Sequence, residues 1–297
     1  MRGTMKRTLG VALAAFALLS CHSTQSEAKP IRPALWKVSD VDTTIYLFGT
    51  IHLLPKALAW QSPKMIAAMH ASQVLVLETV LDKDPQKTGA IMAQLGMSPG
   101  LPPLLDRVPA DKRETLQNVV TKSGVPLAVL DRFETWAAAL TLASAGMRDL
   151  PVSPEYGAEA ILSRSFTSAG KPVSGLETPA QQLGYFDGLP ETAQRRFLTS
   201  IADDESNARA EFDAMIAAWS AGDIKKIALT FDDELKLSPE LTDVLLKKRN
   251  ANWSDWIVAR MAKPGTVFVA VGAGHLAGAN AVTIMLTKRN LKVVRLQ

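Results

Sequence analysis

The stretch YLFGTIHLLP, Tyr46–Pro55, ends an apolar run at Gly49 and sets His52 three residues later. The chain has four histidines, so one at the lip of a buried strand asks for a reason. Just upstream, ALWKVSDVDTTIYLFG reads as a hairpin. A strand around Trp36–Val38 turns at Ser39–Asp42 into a second strand at Thr44–Phe48. Downstream, SPKMIAAMHAS opens a helix with Ser62 as N-cap and Pro63 at the first helical position. QVLVLET follows as a buried strand of Val and Leu.

The C-terminal end repeats this grammar. GTVFVAVGAGHLAGANAVTIMLTKRNLKVVRLQ predicts a strand at Thr266–Val271, a helix from about Leu276 to Lys288 and a last strand at Leu291–Leu296. Each half therefore carries an apolar strand followed by Gly-x-x-His, GTIH at 49–52 and GAGH at 272–275. The middle, about 83–250, reads as mostly helical, with helices opening after Pro and closing at Gly. One short strand, KPVSGLET, interrupts it. The fold class expected is α/β: a mixed central sheet built from the N- and C-terminal strand–helix units and covered by the helical middle section. Residues 35–297 form the domain.

The N-terminus belongs to a different grammar. MRGTMKRTLGVALAAFALLSC places Arg2, Lys6 and Arg7 before a short apolar run, the pattern of a secretory signal over residues 1–20. LLSC ahead of Cys21 matches a bacterial lipoprotein processing site, and cleavage after Ala28 is the rival. The expectation is an exported, periplasmic protein anchored to the membrane as a lipoprotein through Cys21, with residues 21–34 as tether. Loss of residues 1–20 removes three positive charges and no negative ones, taking the net charge from +4 to +1. The basic pI thus resides largely in the signal, and no nucleic-acid footprint remains. Cys21 is the one cysteine, so neither a disulfide framework nor cysteine nucleophile chemistry is open to the domain.

In parallel strand–helix units, reactive groups collect at the carboxyl ends of the strands. His52, Glu78, Glu177 and His275 all fall there. Two imidazoles and two carboxylates at one sheet edge are a donor set for a divalent metal. Glycines at 49 and 272 permit sharp turns and close approach. His275, read at a helix start, would be kept neutral by the helix dipole.

LFGTIHLLP, VLVLET, VSGLETPAQQLGYFDGLP, RNANW and FVAVGAGHLAG, in this order from Trp36 to the C-terminus, resemble the TraB/GumN (TraB/PrgY/GumN) family, which is related to the Tiki metalloproteases. The resemblance implies a metal-dependent peptidase centre built from both Gly-x-x-His motifs and a glutamate, with Mn or Co favoured and Zn admissible. It points to His52, His275, Glu78 and Glu177 as metal-site residues and to Glu78 and Arg249 as catalytic groups. The substrate class implied is peptide or protein. Many relatives have Asp where YGAE has Glu159, which weakens any ligand role there.

Other classes lack their signatures. GAGHLAG has no acidic residue following its next strand for a ribose hydroxyl. Neither a G-x-S-x-G elbow nor H-E-x-x-H occurs. Trp136, Trp219, Trp253 and Trp256 recur on apolar helical faces, as core residues do. The alternative from another class is a non-catalytic envelope protein that captures metal or haem, or serves polysaccharide assembly or signalling.

Overall fold

The computed structural model describes residues 30–82, 84–203, 208–236 and 239–297. The signal segment, Cys21 and most of the tether lie outside the described residues. Residues 31–297 form one compact unit.

Six strands make one mixed sheet: β1 (Leu35–Ser39), β2 (Thr43–Thr50), β3 (Val74–Thr79), β4 (Val173–Glu177), β5 (Gly265–Gly272) and β6 (Val293–Arg295). Their order is β4-β3-β5-β2-β1-β6. β2, β5, β3 and β4 run parallel, while β1 pairs antiparallel with both β2 and β6. The two chain ends thus meet in the sheet, as their repeated pattern predicts. The central strands are near-continuous apolar runs because a parallel sheet is covered on both faces. On β5, Phe268 and Ala270 enter one core and Val267, Val269 and Val271 the other. Phe48, Trp60 and Trp219 anchor the first core, with the Phe48 and Trp60 rings stacked at 5.4 Å.

After β2, α1 (Pro63–Ala71) opens with Ser62 accepting from the Met65 N–H. Between β3 and β4 come α2 (Pro85–Leu95), α3 (Arg113–Ser123), the single turn α4 (Leu127–Leu130), α5 (Thr135–Gly146) and α6 (Ala158–Ser168). Between β4 and β5 come α7 (Pro179–Asp187), α8 (Glu191–Asp203), α9 (Ala208–Ser220), α10 (Ile224–Lys236), the short α11 (Pro239–Leu241) and α12 (Arg249–Met261). α11 and α12 are joined by a π-helical segment, Thr242–Lys248. The helical middle is therefore two insertions, one on each side of the short strand β4.

Two details differ from the sequence-based expectation. The helix expected from Leu276 begins only at Val282, as α13 (Val282–Lys288). Ala273–Leu276 forms a single 3-10 turn instead, and Gly278 then adopts φ 76°, a left-handed conformation that breaks a continuous helix. At the other end, part of the polar tether already belongs to the folded body. Ala34 is buried, and the Arg32 N–H donates to the Ser220 carbonyl at 2.8 Å. No helix among the described residues is long and apolar enough to cross a membrane.

Candidate active site

The register explains why the two Gly-x-x-His motifs meet. β2 and β5 are adjacent and parallel, with Gly49 opposite Val271 and Thr50 opposite Gly272. A side chain on Gly49 would stand 3.0 Å from the Ala273 Cα, so the first motif packs directly on the second. Glu78 is the last residue but one of β3, on the far side of β5, and Glu177 ends β4 beside Thr79. All four strand ends carry one of the expected groups.

Arg249 is the centre of what they form. Its Nε donates to Glu177 Oε1 at 3.0 Å and its Nη2 to Glu177 Oε2 at 2.8 Å. Nη2 also donates to Glu78 Oε2 at 2.7 Å. Nη1 lies 3.3 Å from His275 Nε2. The guanidinium is buried, with the Trp253 ring 4.7 Å and the Tyr185 ring 5.7 Å from its carbon. A buried cation is tolerable only when paired and hydrogen-bonded, and here two carboxylates and two aromatic faces do both.

Glu78 is gripped from three sides. The Gly272 N–H donates to Oε1 at 2.6 Å, and Gln182 Nε2 reaches Oε2 at 3.2 Å. A Cβ on Gly272 would come within 3.1 Å of that Oε1, so glycine leaves the carboxylate room to reach the backbone. Burial alone would raise the Glu78 pKa, but His275, Arg249 and the Gly272 N–H together hold it down at about 2. Because His275 is itself neutral near pH 7, Arg249 is the lasting counter-charge in contact with Glu78, and His52 adds to it through space.

The histidines are tuned in opposite directions. Burial pushes His275 down to about 4; Glu78 opposes this, and Arg249 and His52 add to it. This corrects the dipole argument: His275 sits in a 3-10 turn, not at an α-helix N-terminus, and burial keeps it neutral. Its Nδ1 lies 2.6 Å from Asn250 Oδ1, and its Nε2 is 3.7 Å from Glu78 Oε1. His52 stands further out, with its side chain 72% exposed. Many atoms crowd its ring, yet open surface is what decides access to a ligand. Its Nδ1 lies 2.7 Å from Glu159 Oε1. That contact raises the His52 pKa to about 9 against the lowering effect of burial; Glu78 adds through space and Arg249 opposes. Beyond this ion pair the buried Glu159 oxygens have no other partner among the described residues. The hydroxyls of Thr50 and Thr79, on the terminal residues of β2 and β3, are buried and unpaired as well.

The structure thus joins Glu78, Glu177, Arg249 and His275 by contact. His52 belongs to the same edge but bonds to Glu159 and feels Glu78 and Arg249 only through space. Glu177 is taken up by Arg249 and by Trp253, whose Nε1 donates to Oε1 at 2.9 Å. Nothing in the sequence pattern singles out Asn250, Gln182 or Tyr185 as site residues, and Trp253 reads as core. Asn250 adjoins Arg249, and Trp253 lies one helical turn beyond it, a spacing that puts both rings of contact on one face of α12.

For a divalent ion the donors fit by type. Each imidazole has Nδ1 engaged by an oxygen, the arrangement that orients ligating histidines. His275 Nε2 is faced by Arg249 Nη1 at 3.3 Å, and His52, raised to about 9, must shed a proton to ligate. Glu78 is ionised and near His275. Unpaired buried oxygens at the same strand ends mark a place for a polar ligand. Among the described residues no three His, Cys, Asp or Glu side chains come together to hold a metal ion, and both Glu78 oxygens already accept hydrogen bonds. His52, His275 and Glu78 are the donors such an ion would have to draw together.

The sequence matches the TraB/PrgY/gumN family over residues 34–295, nearly the entire chain. The chain belongs to the TraB/PrgY/gumN family. In this TraB/PrgY/gumN protein the family segment begins with the buried Ala34 and ends within β6, so it coincides with the folded body. No curated protein and no solved structure gives a match.

Proposed function

We propose that this chain is an exported, divalent-metal-dependent hydrolase acting on peptide bonds. The observation that carries the reading is the pair of histidines brought to adjacent parallel strand ends, each with Nδ1 held by an oxygen. His52, His275 and Glu78 are the residues that would hold Mn, Co or Zn. Such an ion supplies Lewis acidity and a water of lowered pKa.

The chain's own groups divide the remaining work. Glu78, held ionised at about 2, is matched to an anchoring role, since a general base works best with a pKa near the operating pH. Glu159, paired with His52 through Oε1 at 2.7 Å, is matched to orienting that imidazole. Arg249 spends Nε and Nη2 on the two glutamates and faces His275 Nε2 with Nη1. Were His275 to take a metal ion instead, Nη1 would be freed to steady a substrate carbonyl or carboxylate oxygen. Trp253 and Tyr185 exclude water from the guanidinium.

Calorimetric titration of the purified protein with Mn, Co and Zn, beside His52→Ala and His275→Ala, tests the shared site. Stoichiometric binding lost in both folded variants supports it, and turnover of a quenched-fluorescent peptide library supports the hydrolase. Saturation without turnover favours the envelope binding protein, and no binding removes the metal reading. Export and lipid anchoring at Cys21 rest on the N-terminal pattern; labelled palmitate incorporated by the wild type and not by Cys21→Ala is the expected result.

A further inference from the structure

Arg249 and Asn250 are consecutive, both buried, and between them they address both nitrogens of one ring. A guanidinium can only donate, so Nη1 at 3.3 Å meets a lone pair on His275 Nε2. On the opposite side, Asn250 Nδ2 donates to the Asn280 carbonyl at 2.8 Å and approaches the His275 carbonyl at 3.4 Å. Those two acceptors orient the amide, so Oδ1 is the atom facing Nδ1 at 2.6 Å, and it must receive a proton. The two constraints are independent and select one tautomer.

We propose that Asn250 is a positioning residue that holds His275 in the Nδ1–H tautomer, with the Nε2 lone pair turned toward Glu78 and Arg249. The use of that lone pair as a metal ligand rests on the hydrolase reading; the tautomer itself does not. A spacer would not be an asparagine here. A buried amide costs stability unless all its groups are paired, and the Asn250 amide is paired on both ends. The surrounding structure fixes it further. Ser254 Oγ donates to the Asn250 carbonyl at 2.6 Å, and the Trp253 ring lies 4.4 Å from the imidazole. The π-helical segment runs directly into this turn of α12, and such segments recur at functional sites.

The test reads the ring directly. In the 15N-labelled protein at pH 7, long-range proton–nitrogen correlations, assigned by the signal missing from His275→Gln, are expected to show Nδ1 protonated and Nε2 bare. Asn250→Leu, which removes the acceptor, should give mixed tautomers or Nε2–H and weaken Co affinity by roughly ten- to a hundred-fold. Asn250→Asp keeps an acceptor and should keep Nδ1 protonated, at some loss of stability because Asp has no N–H for the Asn280 carbonyl. Nε2–H in the wild type, or an unchanged tautomer in a folded Asn250→Leu, overturns the proposal. Should the protein bind no Co at all, the metal reading falls while the tautomer result still decides the role of Asn250.

Discussion

Arg249 and Glu177 face each other fork to fork, Nε to Oε1 at 3.0 Å and Nη2 to Oε2 at 2.8 Å, with both side chains under a tenth exposed. Removing one member of a buried pair strands the other, which typically costs 3–5 kcal/mol. Glu78 remains on Arg249, so Glu177→Ala should lose about 3 kcal/mol in urea unfolding. The Trp253 N–H, left without its acceptor, contributes to that loss. Glu177→Gln keeps an acceptor for Trp253 and should lose less. A Glu177→Ala protein as stable as the wild type would show that the fork does not form.

Stability should peak near neutral pH, and the signs follow from the three shifted groups. His275, pulled down to about 4 from 6.5, lets the unfolded chain bind the extra proton between those values. Stability is therefore lost as pH falls through that window, by at most about 1.4 kcal/mol per pH unit from this group. Glu78, lowered from 4.5 to about 2, adds a further loss as pH falls below 4.5 toward 2. His52, raised to about 9, works in the other direction. Its contribution is complete below 6.5 and lost as pH rises through 9, and solvent screening at this exposed ring keeps it small. Urea unfolding across pH 4–10 should show both limbs, and His52→Ala should flatten only the alkaline one.

The sheet is legible in the chain because parallel strands buried on both faces require unbroken apolar runs, and QVLVLE and TVFVAV are such runs. His52, Glu78, Glu177 and His275 are legible for the related reason that residues following those runs stand at one edge. What joins them is less so. Arg249 lies 72 residues from Glu177 and 171 from Glu78, and no local periodicity records a pairing made by the path of a helical insertion. Glu159 is assigned to His52 by the docking of α6 against β3 and by the Ala158 N–H bond to the Ile51 carbonyl, a tertiary fact. The π-helical segment before Arg249 is hidden as well, because its residues are ordinary helix formers.

Trp219 ties the first motif to the core. Its Nε1 donates to the Gly49 carbonyl at 2.7 Å, and its ring packs edge-on against Phe48 and Trp60. Trp219→Phe keeps most of the apolar contact and orphans a buried carbonyl, a cost of about 1–3 kcal/mol. Hydrogen exchange should quicken at the end of β2 while β3 stays protected. Equal exchange in both strands would mean that the bond does not hold the motif.

Gly49→Ala tests the contact that brings the two histidines to one edge. The added Cβ would sit 3.0 Å from the Ala273 Cα, which is backbone and has no rotamer to yield. β2 and the 3-10 turn bearing His275 must then separate, at a cost of about 1–3 kcal/mol for a strained core. Because Ala273 lies two residues before His275 and Gly49 three before His52, the strain falls on both imidazoles together. Metal affinity should therefore drop by more than the stability loss alone explains, measured by calorimetry well below the unfolding transition. A variant of normal affinity would place the two rings in separate sites, and His52 would then act with Glu159 alone.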